Sequence, residues 1–93
     1  MGFKNIRSLI KALKQLGYNV DYYFDQMNNK YIIAKVNKLT IEFNIIKMEV
    51  PKGTYDVRVY INEKYQIDKS FRFTSLSEAY QYVYDLLSKE VTT

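Results

Sequence analysis

The chain has no cysteine and no histidine. Without imidazole it lacks the usual general base at neutral pH and the commonest metal ligand. Without thiolates it has neither disulfides nor nucleophilic sulfur, and a zinc site would have to be built from carboxylates alone. Three glycines are too few for a phosphate-cradling loop, and no Gly-x-Ser-x-Gly elbow occurs. The acids are dispersed singly. Asp21 and Asp25, four apart on one face of an expected strand, could hold a loosely bound Mg²⁺, but a solvated strand face accounts for them more simply. No apolar run approaches the roughly 18 residues of a membrane-spanning helix. These absences predict a protein that is not an enzyme, uses no cofactor or metal, and has no integral membrane association.

Two fragments imitate catalytic motifs. Ser8-Leu9-Ile10-Lys11 has the Ser-x-x-Lys spacing of penicillin-recognising enzymes, and Lys52-Gly53-Thr54 is a scrambled form of their Lys-Thr-Gly. That chemistry needs a much larger fold and a second serine motif, which this chain does not supply.

What the chain does have is localised charge. Lys4, Arg7, Lys11 and Lys14 precede the first acid, Asp21, and the rest of the chain is balanced, so the net +4 belongs to the first twenty residues. Anionic partners respond to the field of such a patch rather than to the total.

Hydrophobic periodicity gives the order of elements within a single domain, residues 1–93. Phe3, Ile6, Leu9, Ile10, Leu13 and Leu16 recur at helical spacing and Gly17 supplies the stop. Val20, Tyr22 and Phe24 alternate with polar positions as in a half-buried strand. A two-residue turn at Asn37-Lys38 pairs Val36 with Leu39, Ala34 with Ile41 and Ile32 with Phe43, all apolar and all on one face. A slip of one residue would invert that pattern. At Ile45-Ile46 the alternation changes phase, which predicts a bulge that leaves Ile46, Met48 and Val50 on the other face. Val57, Val59 and Ile61 then form a second hairpin with Ile67, Phe71 and Phe73 through a loop of three or five residues. Its outer face sets Arg58 opposite Asp68, or Asp56 opposite Arg72. Ser75-Leu76-Ser77-Glu78 reads as a capping box opening a last helix that buries Leu76, Ala79, Tyr80, Val83, Leu86 and Leu87. The expected architecture is α+β in two layers. An antiparallel sheet of about five strands is flanked by N- and C-terminal helices (α-β-β-β-β-β-α), both packed on one face.

On the first helix the four cations fall in a band on the side away from the apolar arc, a line about 15 Å long at about 1.5 Å per residue. No acid on that helix neutralises it, so the row repels itself. The leading functional expectation is a small basic binding protein that presents this row to nucleic acid or a nucleoprotein complex, an acidic protein surface being the other class of anionic partner. The alternative is a protein–protein interaction module. Tyr23, Tyr31, Ile33 and Tyr60, joined by Ile46 and Met48, would form an apolar patch on the outer sheet face suited to a homodimer or another partner.

The α-β-β-β…α order loosely resembles double-stranded-RNA-binding domains, but Glu78, Asp85 and Glu90 stand on the last helix where that family carries a basic cluster. In size, in Lys/Asn/Tyr bias and in its want of catalytic groups the chain is similar in type to phage and archaeal-virus accessory proteins, including inhibitors of host defence, with no shared motif. Residues 3–16 also loosely match a transit peptide, yet their bases are mostly lysine and their removal would strip the core of a helix. The expected location is the cytoplasm, that of the host if the protein is viral.

Overall fold

The computed structural model describes residues 3–92. Helix α1 (Ile6–Gln15) is followed by β1 (Asn19–Phe24), β2 (Lys30–Val36), β3 (Leu39–Lys47), β4 (Tyr55–Ile61), β5 (Lys64–Tyr65), a 3-10 turn (Ile67–Lys69), β6 (Phe71–Phe73) and α2 (Leu76–Thr92). The strands form one antiparallel sheet in the order β1-β2-β3-β4-β5, and β6 pairs with β4 beyond β5. Sequential hairpins therefore place β1 at one edge. Ile32, Ala34, Ile41, Phe43, Ile45, Val57 and Val59 point from the sheet into one core shared with Leu9 and Leu13 of α1 and Ala79, Val83 and Leu87 of α2. Both helices cover the same sheet face, as the alternation of apolar residues requires.

The central hairpin has the expected register throughout, from Val36 opposite Leu39 to Tyr31 opposite Asn44. Asn37 takes the positive φ (+55°) that the tight turn demands and that asparagine tolerates. The bulge expected at Ile45-Ile46 is absent. Pairing with β4 runs unbroken from Ile41–Ile61 to Lys47–Tyr55, so Ile45 points into the core and Ile46 simply takes the next outward position. The adjacent isoleucines mark one apolar residue on each face, and β3 ends before Met48 and Val50, which lie in the loop to β4.

The second hairpin closes more tightly than expected. Asn62 and Glu63, both at positive φ, make a two-residue turn that sets Ile61 opposite Lys64. The 3-10 turn then inserts a three-residue offset, so that Val57 faces Phe71 and Asp56 faces Arg72. Of the two outer-face pairings expected, this selects Asp56–Arg72, with Arg72 Nε 2.6 Å from the carboxylate. Ile67 falls within the inserted turn and is 78% exposed rather than turned inward.

Both helix starts are capped. Asn5, not the Phe3 region, opens α1: its side-chain oxygen accepts from the Ser8 N–H at 2.9 Å. Lys4 therefore lies outside the helix. At α2, Ser75 Oγ accepts from the Glu78 N–H at 3.1 Å, while the Glu78 carboxylate accepts from the Thr74 hydroxyl instead of returning to Ser75.

Candidate functional site

Leu16 caps α1, and Gly17 at φ +105° turns the chain from the helix into β1, packing the two against each other. The apolar stripe Ile6, Leu9, Ile10, Leu13 is buried beneath the helix. Arg7, Lys11 and Lys14, at i, i+4 and i+7, emerge on the flank beside Ile10 and form the lip of a shallow groove of about 550 Å³. Ile10, Gln15 and Tyr22 complete its lining, and no carboxylate is among the lining residues. The row runs from the solvent side of the helix at Lys11 to the border of the apolar arc, where Lys14 and Arg7 flank Ile10. Lys4, exposed in the bend before the cap, extends the charge past the helix end without lining the groove.

The electrostatics of α1 are unfavourable in its first turn, whereas Lys14 in the last turn meets the negative end of the helix dipole. The first turn contains no acid, and Arg7 stands there at the positive end of the helix dipole. The ion pairs Lys69–Asp68 and Arg72–Asp56 lie elsewhere in the fold and do not involve the row.

Beyond the groove, Tyr22 leads along β1 to a second partly uncovered ring. Tyr22 and Phe24 share the inward face of the strand with Val20, but α1 covers only Val20 fully, leaving Tyr22 38% and Phe24 48% exposed. Their rings meet edge to face with centroids 5.9 Å apart, and Lys30 Nζ lies 5.5 Å from the Phe24 centroid. Burial lowers the Lys30 pKa, and the nearby charge of Lys47 lowers it further. Tyr22, Phe24 and Lys30 were not among the site residues expected from sequence. The signal for them is the run Tyr22-Tyr23-Phe24 on a strand that hairpin order sends to the sheet edge.

The turn after Phe24 is clipped by Asp25. Its carboxylate accepts from the N–H groups of Met27 and Asn29 at 2.9 Å, from the Asn29 amide at 3.1 Å and from the Tyr31 hydroxyl at 2.9 Å. Desolvation raises the Asp25 pKa, but the bonds from Asn29, Tyr31 and Met27 together outweigh it and hold the group below the usual carboxylate range. The sign follows from linkage: the stabilisation is present above the ordinary carboxylate pKa and is lost as pH falls through the depressed one. Tyr31→Phe is expected to move the Asp25 titration upward in an NMR pH series; an unmoved titration would dismiss the tyrosine as a donor. Asp25 is thus committed to this loop, and Asp21 lies on β1 opposite Ile33. Among the described residues no cluster of three or more His, Cys, Asp or Glu side chains could hold a metal.

The outer sheet face brings most of the expected interface residues together. Tyr23 stacks on Tyr31 with centroids 4.8 Å apart and planes 9° from parallel, and Ile33 lies across from Asp21 and Glu42. Tyr60 pairs with Glu42 and packs against Tyr65. Ile46 sits beside the Asp56–Arg72 pair, and Met48 lies past the strand in a separate depression with Met27, Lys47 and Lys52. The tyrosines are therefore interleaved with both signs of charge. Other tyrosines serve the core: Tyr18 donates to the Leu87 carbonyl at 2.8 Å, and burial pushes the Tyr80 phenol up to about 12.

No helix of the described residues is long and apolar enough to cross a membrane. Comparison with protein-family models, curated proteins and solved structures returned no match.

Proposed function

We propose that the protein is a non-enzymatic binder of nucleic acid, alone or within a nucleoprotein complex, that engages phosphate through Lys4, Arg7, Lys11 and Lys14. One observation carries the reading. Three cations share one flank of a ten-residue helix, unpaired by any acid among the described residues, and one of them occupies the turn where the helix dipole disfavours it. A site that costs stability locally is accounted for by an anionic ligand that neutralises it. Nucleic acid suits the row better than an isolated anion does, because the charges are spaced along a line instead of converging on a point. Lysine dominates, so contact is with phosphate, and Arg7 alone brings the fork suited to two-point recognition.

Titration of a fluorescent oligonucleotide by anisotropy over a salt series tests this. Four phosphates neutralised on a single strand give a log–log slope near −2.8, or about fiftyfold weaker binding between 50 and 200 mM salt. An affinity indifferent to salt would remove phosphate contact from the account.

A second reading rests on the outer sheet face, where the flat Tyr23–Tyr31 stack and the Tyr60–Tyr65 pair lie open beside Ile33. Such a surface suits a protein partner or a second copy of the chain, because each ring offers apolar area with a hydroxyl that can be satisfied.

A further inference from the structure

The cationic flank of α1 meets β1 at Tyr22, whose ring lies against Phe24, and that juxtaposition specifies the ligand more closely. We infer that the groove binds single-stranded nucleic acid, with the backbone along Arg7, Lys11 and Lys14 and bases stacked on Tyr22 and Phe24. The inference rests on the nucleic-acid reading of the same site.

Its grounds are geometric. A duplex hides the faces of its bases, so an exposed ring beside a phosphate-binding row gains nothing from it; a single strand offers a face at every nucleotide. Tyr22 lies in the groove lining between the cations and the open edge of β1, and Phe24 follows two residues on at the same face. Lys30 over the Phe24 ring supplies another cation at the far end of this track. The cations also stand toward β1, whereas Ser8 and Ala12 occupy the other flank of α1 and do not line the groove. A helix that reads a duplex presents its outward arc to the major groove; here the exposed cations share their groove with an aromatic ring of the adjoining strand. A second copy docking symmetrically along β1 would bring two cationic flanks together, so charge complementarity favours a polyanion over self-association at this place.

The test compares binding of an oligothymidylate of about ten nucleotides, a duplex of equal length and sodium polyglutamate at one salt concentration. The single strand is expected to bind at least about tenfold more tightly than the duplex. Tyr22→Ala and Phe24→Ala should each weaken it by about fivefold to a hundredfold, Tyr22→Leu should do the same, and Tyr22→Phe should retain affinity. Circular dichroism and thermal melts establish that the variants are folded, which the exposure of both rings favours. Equal affinity for the two strand forms, or indifference to Tyr22→Ala, overturns the inference while leaving a nucleic-acid binder. Polyglutamate binding as tightly as the oligothymidylate overturns it in favour of an acidic protein partner. Failure to bind any oligonucleotide removes the parent reading as well.

Discussion

A variant with Lys4, Arg7, Lys11 and Lys14 all replaced by glutamate is expected to lose at least about a hundredfold in oligonucleotide affinity near physiological salt and to remain folded. Each phosphate neutralised on a single strand releases about 0.7 of a counterion, so loss of four contacts at about 0.15 M salt is worth roughly two hundredfold before repulsion is added. None of the four side chains is buried or ion-paired among the described residues, so the core is untouched. The single variant Arg7→Glu separates binding from stability. It places an anion in the first turn of α1, where the dipole favours one by about 0.3–1 kcal/mol, and removes the repulsion from Lys11 one turn away. Thermal unfolding should therefore shift upward as affinity falls. An affinity equal to the parent's would take the row out of the binding site, and a lowered melting temperature would show that Arg7 is held by contacts inside the fold. Association through the outer tyrosines would survive both changes.

Phe43→Ala carries the largest expected cost in stability. The ring is fully buried on the central strand β3, flanked by Ile32 on β2 and Val59 on β4, and lies in the core that both helices cover. Truncation removes its transfer free energy and leaves a cavity, together about 3–5 kcal/mol. A domain of this size has about 5–14 kcal/mol in all, so the loss consumes much of the margin. Urea unfolding should show a lower midpoint with little change in slope, and the melting temperature should fall by about 15 °C or more. Arg58→Ala on the uncovered face is the control, expected within about 0.5 kcal/mol of the parent. A loss below about 1 kcal/mol for Phe43→Ala would mean that the helices do not seal this face.

The two-layer arrangement and the central hairpin were legible because the chemistry is redundant there. Six apolar residues of the hairpin between Ile32 and Phe43 fall on one face in only one register, and Asn37 supplies a turn that agrees with it. The end of the second hairpin was not legible. A two-residue turn followed by a three-residue offset gives Val57–Phe71 the same parity as a single longer loop, so alternation cannot distinguish them. The double isoleucine at positions 45 and 46 misled for a related reason: an apolar residue on the open face resembles a phase change when one face is assumed to be polar. At the site, charge was readable from composition, but its setting was not. Starting α1 at Asn5 excludes Lys4 from the helix, and packing on β1 decides which flank the other cations occupy. The alternation in β1 places Tyr22 and Phe24 on the inward side of the strand; that the helix leaves them partly open is a matter of packing, to which period alone is blind.

The two margins of the sheet are protected by different means. On the far side, the strand beyond β4 is broken into pieces of two and three residues by the 3-10 turn, too short to template a neighbour. On the near side, β1 runs six residues with its outer hydrogen-bonding groups free, a length at which proteins risk zipping into one another. Arg7, Lys11 and Lys14 share a groove with Tyr22 of that strand, so a symmetric edge-to-edge encounter would set like charges against each other, a repulsion that opposes zipping at this margin.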